Sequence, residues 1–108
     1  MERKIEFEIS RLVIENDCTF VDGRNCGSPI RIGDIFTSIC DRVLKEDSGN
    51  FIAGEVVQEN SIQITVQLIE TYRIQFDELS TGMTARMRVH GAGVEKLKEA
   101  RVLTGLCK

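Results

Sequence analysis

The residues with usable chemistry are few and scattered. His90 is the single histidine among 108 residues and stands beside Gly91. An imidazole can act as a general base, but no Ser or Cys sits at a spacing that would make it half of a nucleophilic pair. The expectation is a surface histidine at a strand end. Cys26 lies in Gly23-Arg24-Asn25-Cys26-Gly27, with Arg24 close enough in sequence to favour a thiolate. That segment is expected to be a tight turn first and a thiol site second. Cys18, Cys26, Cys40 and Cys107 form no C-x-x-C pair. With one histidine, they give no short-spaced zinc ligand set. No metal and no cofactor are expected, and the thiols should be reduced and partly in the core. Asp77 and Glu78 are adjacent, so in an extended chain they point apart, which suits turn polarity better than acid–base chemistry. Arg73, Arg86 and Arg88 remain. Guanidinium forks match phosphate and carboxylate oxygens, so these three, with His90, are the candidate binding residues. The competing account is cross-strand pairing with glutamates, worth under about 1 kcal/mol each.

Strands must position these groups, because period-two alternation dominates the chain. Ile5, Phe7 and Ile9 alternate with Glu6 and Glu8, and Leu12-Val13-Ile14 extends that strand after a bend. Thr19–Val21 predicts a short second strand that runs into the turn formers of DGRNCGSP. Ile30, Ile32, Ile35, Phe36 and Ile39 predict strands around a Gly33-Asp34 turn. EDSGN at 46–50 predicts a hairpin turn, Ile52–Val57 a strand, and QEN at 58–60 another turn. Ile62, Ile64, Val66 and Leu68 alternate with Gln63, Thr65 and Gln67. After a bulge or bend near Ile69 and Glu70, Tyr72, Ile74 and Phe76 resume the apolar phase. Met83, Ala85, Met87 and Val89 then alternate with Thr84, Arg86, Arg88 and His90. The phase predicts Ile64, Val66, Tyr72, Ile74, Phe76, Met83, Met87 and Val89 buried, with Arg86, Arg88 and His90 facing out. One short helix is expected near 94–99, with Val94 and Leu97 on one face, before a closing strand at Arg101–Thr104. Many short strands and turns point to a sandwich or a closed barrel, and closure removes the exposed sheet edges that favour aggregation.

The length suits one domain over 1–108 with a core of its own. There is no apolar run near the roughly 20 residues of a membrane helix and no apolar h-region in MERKIEFEIS. A cytoplasmic protein that does not enter membranes is expected. A net charge of −3 disfavours a general nucleic-acid binder. The charge is uneven, however: residues 83–108 carry six Lys/Arg and two Asp/Glu, whereas residues 1–82 carry eight and fifteen. Such asymmetry can mark a binding face.

"YRIQFDELSTGMTARMRVHG", residues 72–91, resembles the second domain of translation elongation factor Tu and related translation proteins. Tyr72-Arg73, Asp77-Glu78, Gly82 and Gly91 match that family's aromatic-Arg strand, Asp-Glu turn, following Gly and strand-ending Gly. Upstream, "VDGRNCGSPIRIGD" at 21–34 looks like its Gly-Arg turn followed by an apolar-basic-apolar-Gly-acid stretch. Downstream, "VEKLKEARVL" at 94–103 is similar to the short helical turn and last strand that close the barrel. The resemblance implies an all-β fold: a small closed antiparallel barrel of about six strands, with one short helix near the C-terminus. The chain departs from the family in three ways. It has no Gly-x-x-x-x-Gly-Lys-Ser/Thr phosphate loop, so GTP binding is not expected. The region between Cys40 and Ile62 is longer, which suggests an extra hairpin. The first two strands join through Glu15-Asn16-Asp17 and lack the Gly-Arg-Gly loop that neighbours the family's pocket for the aminoacylated tRNA end, so tRNA binding is not carried over. The expected function is a non-catalytic binding module for a protein partner or RNA. The other reading is a small thiol- or histidine-dependent enzyme, or a redox protein, using Cys26 or His90.

Overall fold

Alternation builds a closed barrel. A computed structural model describes residues 2–42, 45–47, 50–52, 56–98 and 101–107, with side chains described for 2–40, 61–98 and 101–107. The strands are β1 (Arg3–Glu15), β2 (Cys18–Asn25), β3 (Ile30–Arg31), β4 (Ile35–Arg42), β5 (Lys45–Asp47), β6 (Asn50–Ile52), β7 (Val56–Thr71), β8 (Ile74–Phe76), β9 (Glu78–Leu79), β10 (Thr84–Ala92) and β11 (Arg101–Cys107). The main sheet runs β10-β2-β1-β11-β4-β7-β8 and closes where β10 also pairs with β7. Every pairing among the described strands is antiparallel, so β1, β2, β10, β7, β4 and β11 are the six staves of the barrel. Beside them, β3 pairs with β9, and β5 with β6. The β5–β6 pair flanks the hairpin expected around EDSGN, with Asp47 opposite Asn50; residues 48 and 49 themselves lie outside the described residues.

The interior is filled by one phase of each stave. Ile5, Phe7 and Ile9 of β1 meet Val21 of β2, Met87 and Val89 of β10, Ile64, Val66 and Ile69 of β7, Phe36 and Ile39 of β4, and Leu103 of β11, all buried. β1 keeps its apolar phase by bulging between Ile9 and Arg11, which is the bend expected before Leu12. Gly23 lies within β2, not in a turn. A Cβ there would overlap the Glu8 carbonyl oxygen and lie 2.7 Å from the Phe7 ring, so only Gly lets β1 and β2 approach at this point.

Three expectations are corrected, and the expected short helix is present in a shorter form. QEN at 58–60 is not a turn: Gln58, Glu59 and Asn60 pair with Asp41, Cys40 and Ile39, so the ladder to β4 overrides local turn preference. In its pairing with β10, the irregularity of β7 sits at Gln67, passed over between the pairs Arg88–Leu68 and Val89–Val66. The chain then reverses at Tyr72-Arg73, where β7 ends and β8 returns along it with Thr71 opposite Ile74. For that reason Tyr72, Ile74, Phe76 and Met83 are not core. They are 93%, 60%, 39% and 43% exposed. Phe76 shares a face with buried Ile69, but β8 has one neighbouring strand among the described residues and lies at the sheet edge. The expected helix is one 3-10 turn, Val94–Lys96. It still delivers the predicted face, with Leu97 buried and Val94 packed against the core.

Two polar anchors hold the barrel end where β3 and β9 meet. Asn25 is fully buried and satisfied. Its amide nitrogen donates to the carbonyls of Ser28 (3.1 Å) and Leu79 (2.9 Å), and its side-chain oxygen accepts from Gly27 N–H (2.9 Å). Arg3 clamps both oxygens of Asp34 at 2.8 Å and also donates to the Pro29 carbonyl. Burial alone would raise the Asp34 pKa, but the Arg3 hydrogen bond, the Arg31 backbone N–H and the Arg3 charge together hold it below the usual aspartate value.

Candidate binding face on the outside of β10

The register across β2, β10 and β7 sets out three rows of outward side chains. Because Val21, Met87 and Ile69 face inward together, their neighbours face out. Asp22, Arg86 and Glu70 form one row, with Arg11 opposite Asp22 on β1. Phe20, Arg88 and Leu68 form the next, with Val13 opposite Phe20. His90, opposite Thr65, begins the third.

The two arginines of β10 differ in state. Arg86 is satisfied: its Nε lies 2.7 Å from Asp22 Oδ1 and one terminal nitrogen 3.0 Å from Oδ2, a bidentate fork. Its guanidinium carbon sits 5.8 Å from the Phe20 ring centre. The Asp22 hydrogen bond raises the Arg86 pKa, against a smaller lowering from desolvation. Arg88 lies half-buried between Phe20 and Leu68, and its Nε is buried with no hydrogen-bond partner among the described residues. A guanidinium cannot shed its charge, so this nitrogen is a donor facing away from water without an acceptor. His90 is exposed.

Of the four predicted site residues, the structure brings Arg86, Arg88 and His90 onto one outward stripe. Arg73 stands apart. It lies not on a strand but at the tip of the β7–β8 hairpin, three residues beyond Glu70, exposed and with φ of 65°. Cys26 is half-buried, and its thiol donates to the Arg24 carbonyl at 3.7 Å. The register places Arg24 opposite Thr84, whereas His90 lies six residues further along β10. Cys26 and His90 are thus at opposite ends of that strand, at least roughly 20 Å apart by strand rise, and make no dyad. Glu78 pairs with Arg31 at 2.9 Å, while Asp77 accepts the Ile32 N–H through its backbone carbonyl. None of the four cysteines is in a disulfide, and Cys40 alone of the four is buried. No group of three or more His, Cys, Asp or Glu suited to a metal occurs among the described residues. Sequence reasoning missed Asp22, Phe20 and Leu68, whose roles depend on register. It also missed Asn25, whose only signal was an amide among glycines.

These features define an all-β protein: a closed six-stranded antiparallel barrel of the translation-factor type. Comparison with solved structures supports this fold. Translation elongation factor SelB from Methanococcus maripaludis, in its apo form, superposes with a TM-score of 0.57 over 97% of this chain, at 13% sequence identity. The match covers 19% of the SelB chain, so this sequence spans about a fifth of it. No family model matches the chain, and no curated protein matches it.

Proposed function

We propose that this translation-factor-like barrel is a non-catalytic binding module, of a cytoplasmic setting, that meets a protein partner through the outward face of β10. The observation that carries the reading is Arg88. It is a permanently charged fork with its Nε buried and unpartnered, flanked by the apolar side chains of Phe20 and Leu68. A carboxylate from a partner would satisfy it, and the two apolar neighbours would exclude water around the pair. Arg86 is already neutralised by Asp22 and shapes the surface more than it offers charge.

The experiment is affinity capture with the wild-type chain and with Arg88→Glu, each first shown to melt at the same temperature. Loss of the captured protein with Arg88→Glu alone supports the reading. An unchanged partner list and affinity would mean that this arginine only solvates a barrel wall. RNA is the other outcome of the same capture. It would reveal itself by log affinity falling linearly with log salt, where a protein partner would show a shallower dependence dominated by association rate.

A further inference from the structure

A different part of the molecule, the free edge of β8, carries an inference independent of the β10 face. Among the described residues β8 pairs only with β7 and ends the sheet order, and all three of its residues are exposed. Edge strands are normally protected by Lys, Pro, a bulge or a covering element. Ile74-Gln75-Phe76 has neither Lys nor Pro, and its pairing with β7 has no register shift. In a two-residue hairpin the pair flanking the loop is hydrogen-bonded and the pairs then alternate. Thr71–Ile74 and Ile69–Phe76 therefore exchange their main-chain bonds, and Gln75 turns its N–H and C=O away from β7.

The five residues around that open position read Arg73-Ile74-Gln75-Phe76-Asp77. Laid antiparallel on itself about Gln75, this segment is complementary at every place: Arg against Asp, Ile against Phe, Gln against Gln. Neither the Arg73 guanidinium nor the Asp77 carboxylate has a partner among the described residues, and both residues are exposed. We propose that β8 is a self-association edge, whose occupant is β8 of a second copy of this chain related by a two-fold axis through Gln75. Such an interface is isologous, so each favourable pair occurs twice. The two Gln75 residues form a hydrogen-bonded pair. Ile74 of each copy faces Phe76 of the other in the closer, non-hydrogen-bonded spacing of about 4.5 Å between Cα atoms. The side chains of Ile74 and Phe76, 60% and 39% exposed in the single chain, then cover one another on one face of a continuous β7-β8-β8-β7 sheet. Arg73 extends from the loop toward Asp77 of the other copy. The contact is short, well below the area of an obligate dimer, so the association is reversible and concentration-dependent.

Sedimentation equilibrium across a concentration series tests this. The wild type should associate to a dimer and no further, since a two-fold contact closes on itself. Arg73→Asp and Asp77→Arg, each placing like charges in both symmetric pairs, should weaken the dimer about tenfold or more. Mixing these two weakened variants should restore association as a heterodimer, because each then offers the charge the other lacks. The Arg73→Asp/Asp77→Arg double variant should recover it alone. Melting temperatures control for folding, and an aspartate at the left-handed position 73 should not lower them. A wild type that stays monomeric at all concentrations would overturn the proposal. So would single variants that associate as the wild type does, or a mixture that fails to associate.

Discussion

Two hairpins in this barrel turn with the same backbone and different side chains. Asn16-Asp17 joins β1 to β2 with φ of 49° and 63°, and Tyr72-Arg73 joins β7 to β8 with φ of 51° and 65°. Both loops have two residues between directly opposed partners, Glu15–Cys18 and Thr71–Ile74. Positive φ at both positions is the type I′ pattern, whose twist matches that of paired strands. Asn and Asp accept left-handed geometry readily. Tyr and Arg do so against Cβ–carbonyl crowding that costs roughly 1–2 kcal/mol per residue. The first turn is written in the sequence. The second is imposed by the sheet, and it displays Tyr72 almost entirely to solvent. Strained backbone of this kind persists only where its surroundings over-determine it.

Perturbations of that contrast can be ranked. The largest effect should come from Met87, which links the two hairpins through the buried row Val21–Met87–Ile69. Met87→Ala should cost about 2–5 kcal/mol, seen as a fall in melting temperature. Next comes the clamp that steadies the segment beneath β8. Arg3 and Asp34, with side chains 16% and 10% exposed, fix the turn from which Ile32 donates to the Asp77 carbonyl. Arg3→Met should cost about 3 kcal/mol at neutral pH, since it strands a largely buried carboxylate. The pH dependence has a definite sign. The folded Asp34 pKa lies below its unfolded value, so the clamp's contribution is complete above about pH 4 and is lost as pH falls through the depressed folded value. Asp34→Asn should flatten that part of the acid limb of a urea-midpoint-versus-pH curve.

Swapping the turns gives a smaller and more diagnostic effect. Tyr72-Arg73 replaced by Asn-Gly should stabilise the chain by about 1–2 kcal/mol, and Asn16-Asp17 replaced by Tyr-Arg should destabilise it by a similar amount. For a chain of this length that amounts to a shift of several degrees in melting temperature. Equal responses at the two tips would dissolve the contrast. The smallest effect belongs to Ile74. Its Ser variant should change the stability of the single chain by under about 0.5 kcal/mol, measured by denaturation at dilute concentration. A core position would lose several times more.

The contrast also explains which parts of the fold were legible. The staves were, because side chains inside a closed barrel must alternate: Ile5–Ile9, Ile62–Val66 and Ala85–Val89 announce their facing without help. The end of β7 was not. Apolar alternation, interrupted only at Glu70, resumes through Tyr72, Ile74 and Phe76, and neither loop residue is one that usually marks a reversal, so the phase is kept while the direction flips. QEN failed for the opposite reason, since three turn-forming residues were held straight by β4. On the candidate face, the outward aim of Arg86, Arg88 and His90 was readable from alternation. That Arg86 is spoken for by Asp22 while Arg88 is not depends on the β2–β10 register, which no local pattern encodes.

The seating of β11 has a kinetic consequence. It lies between β1 and β4, and its pairs with β1 run from Arg3–Cys107 to Glu8–Val102. The first and last strands must find one another across nearly the whole described chain before the barrel can close, which is a high-contact-order step expected to place folding in the millisecond-to-second range. While a ribosome is still making the last strand, β1 and β4 each present an unmatched edge. Those two edges, more than any surface of the finished barrel, are where a nascent chain is open to mispairing.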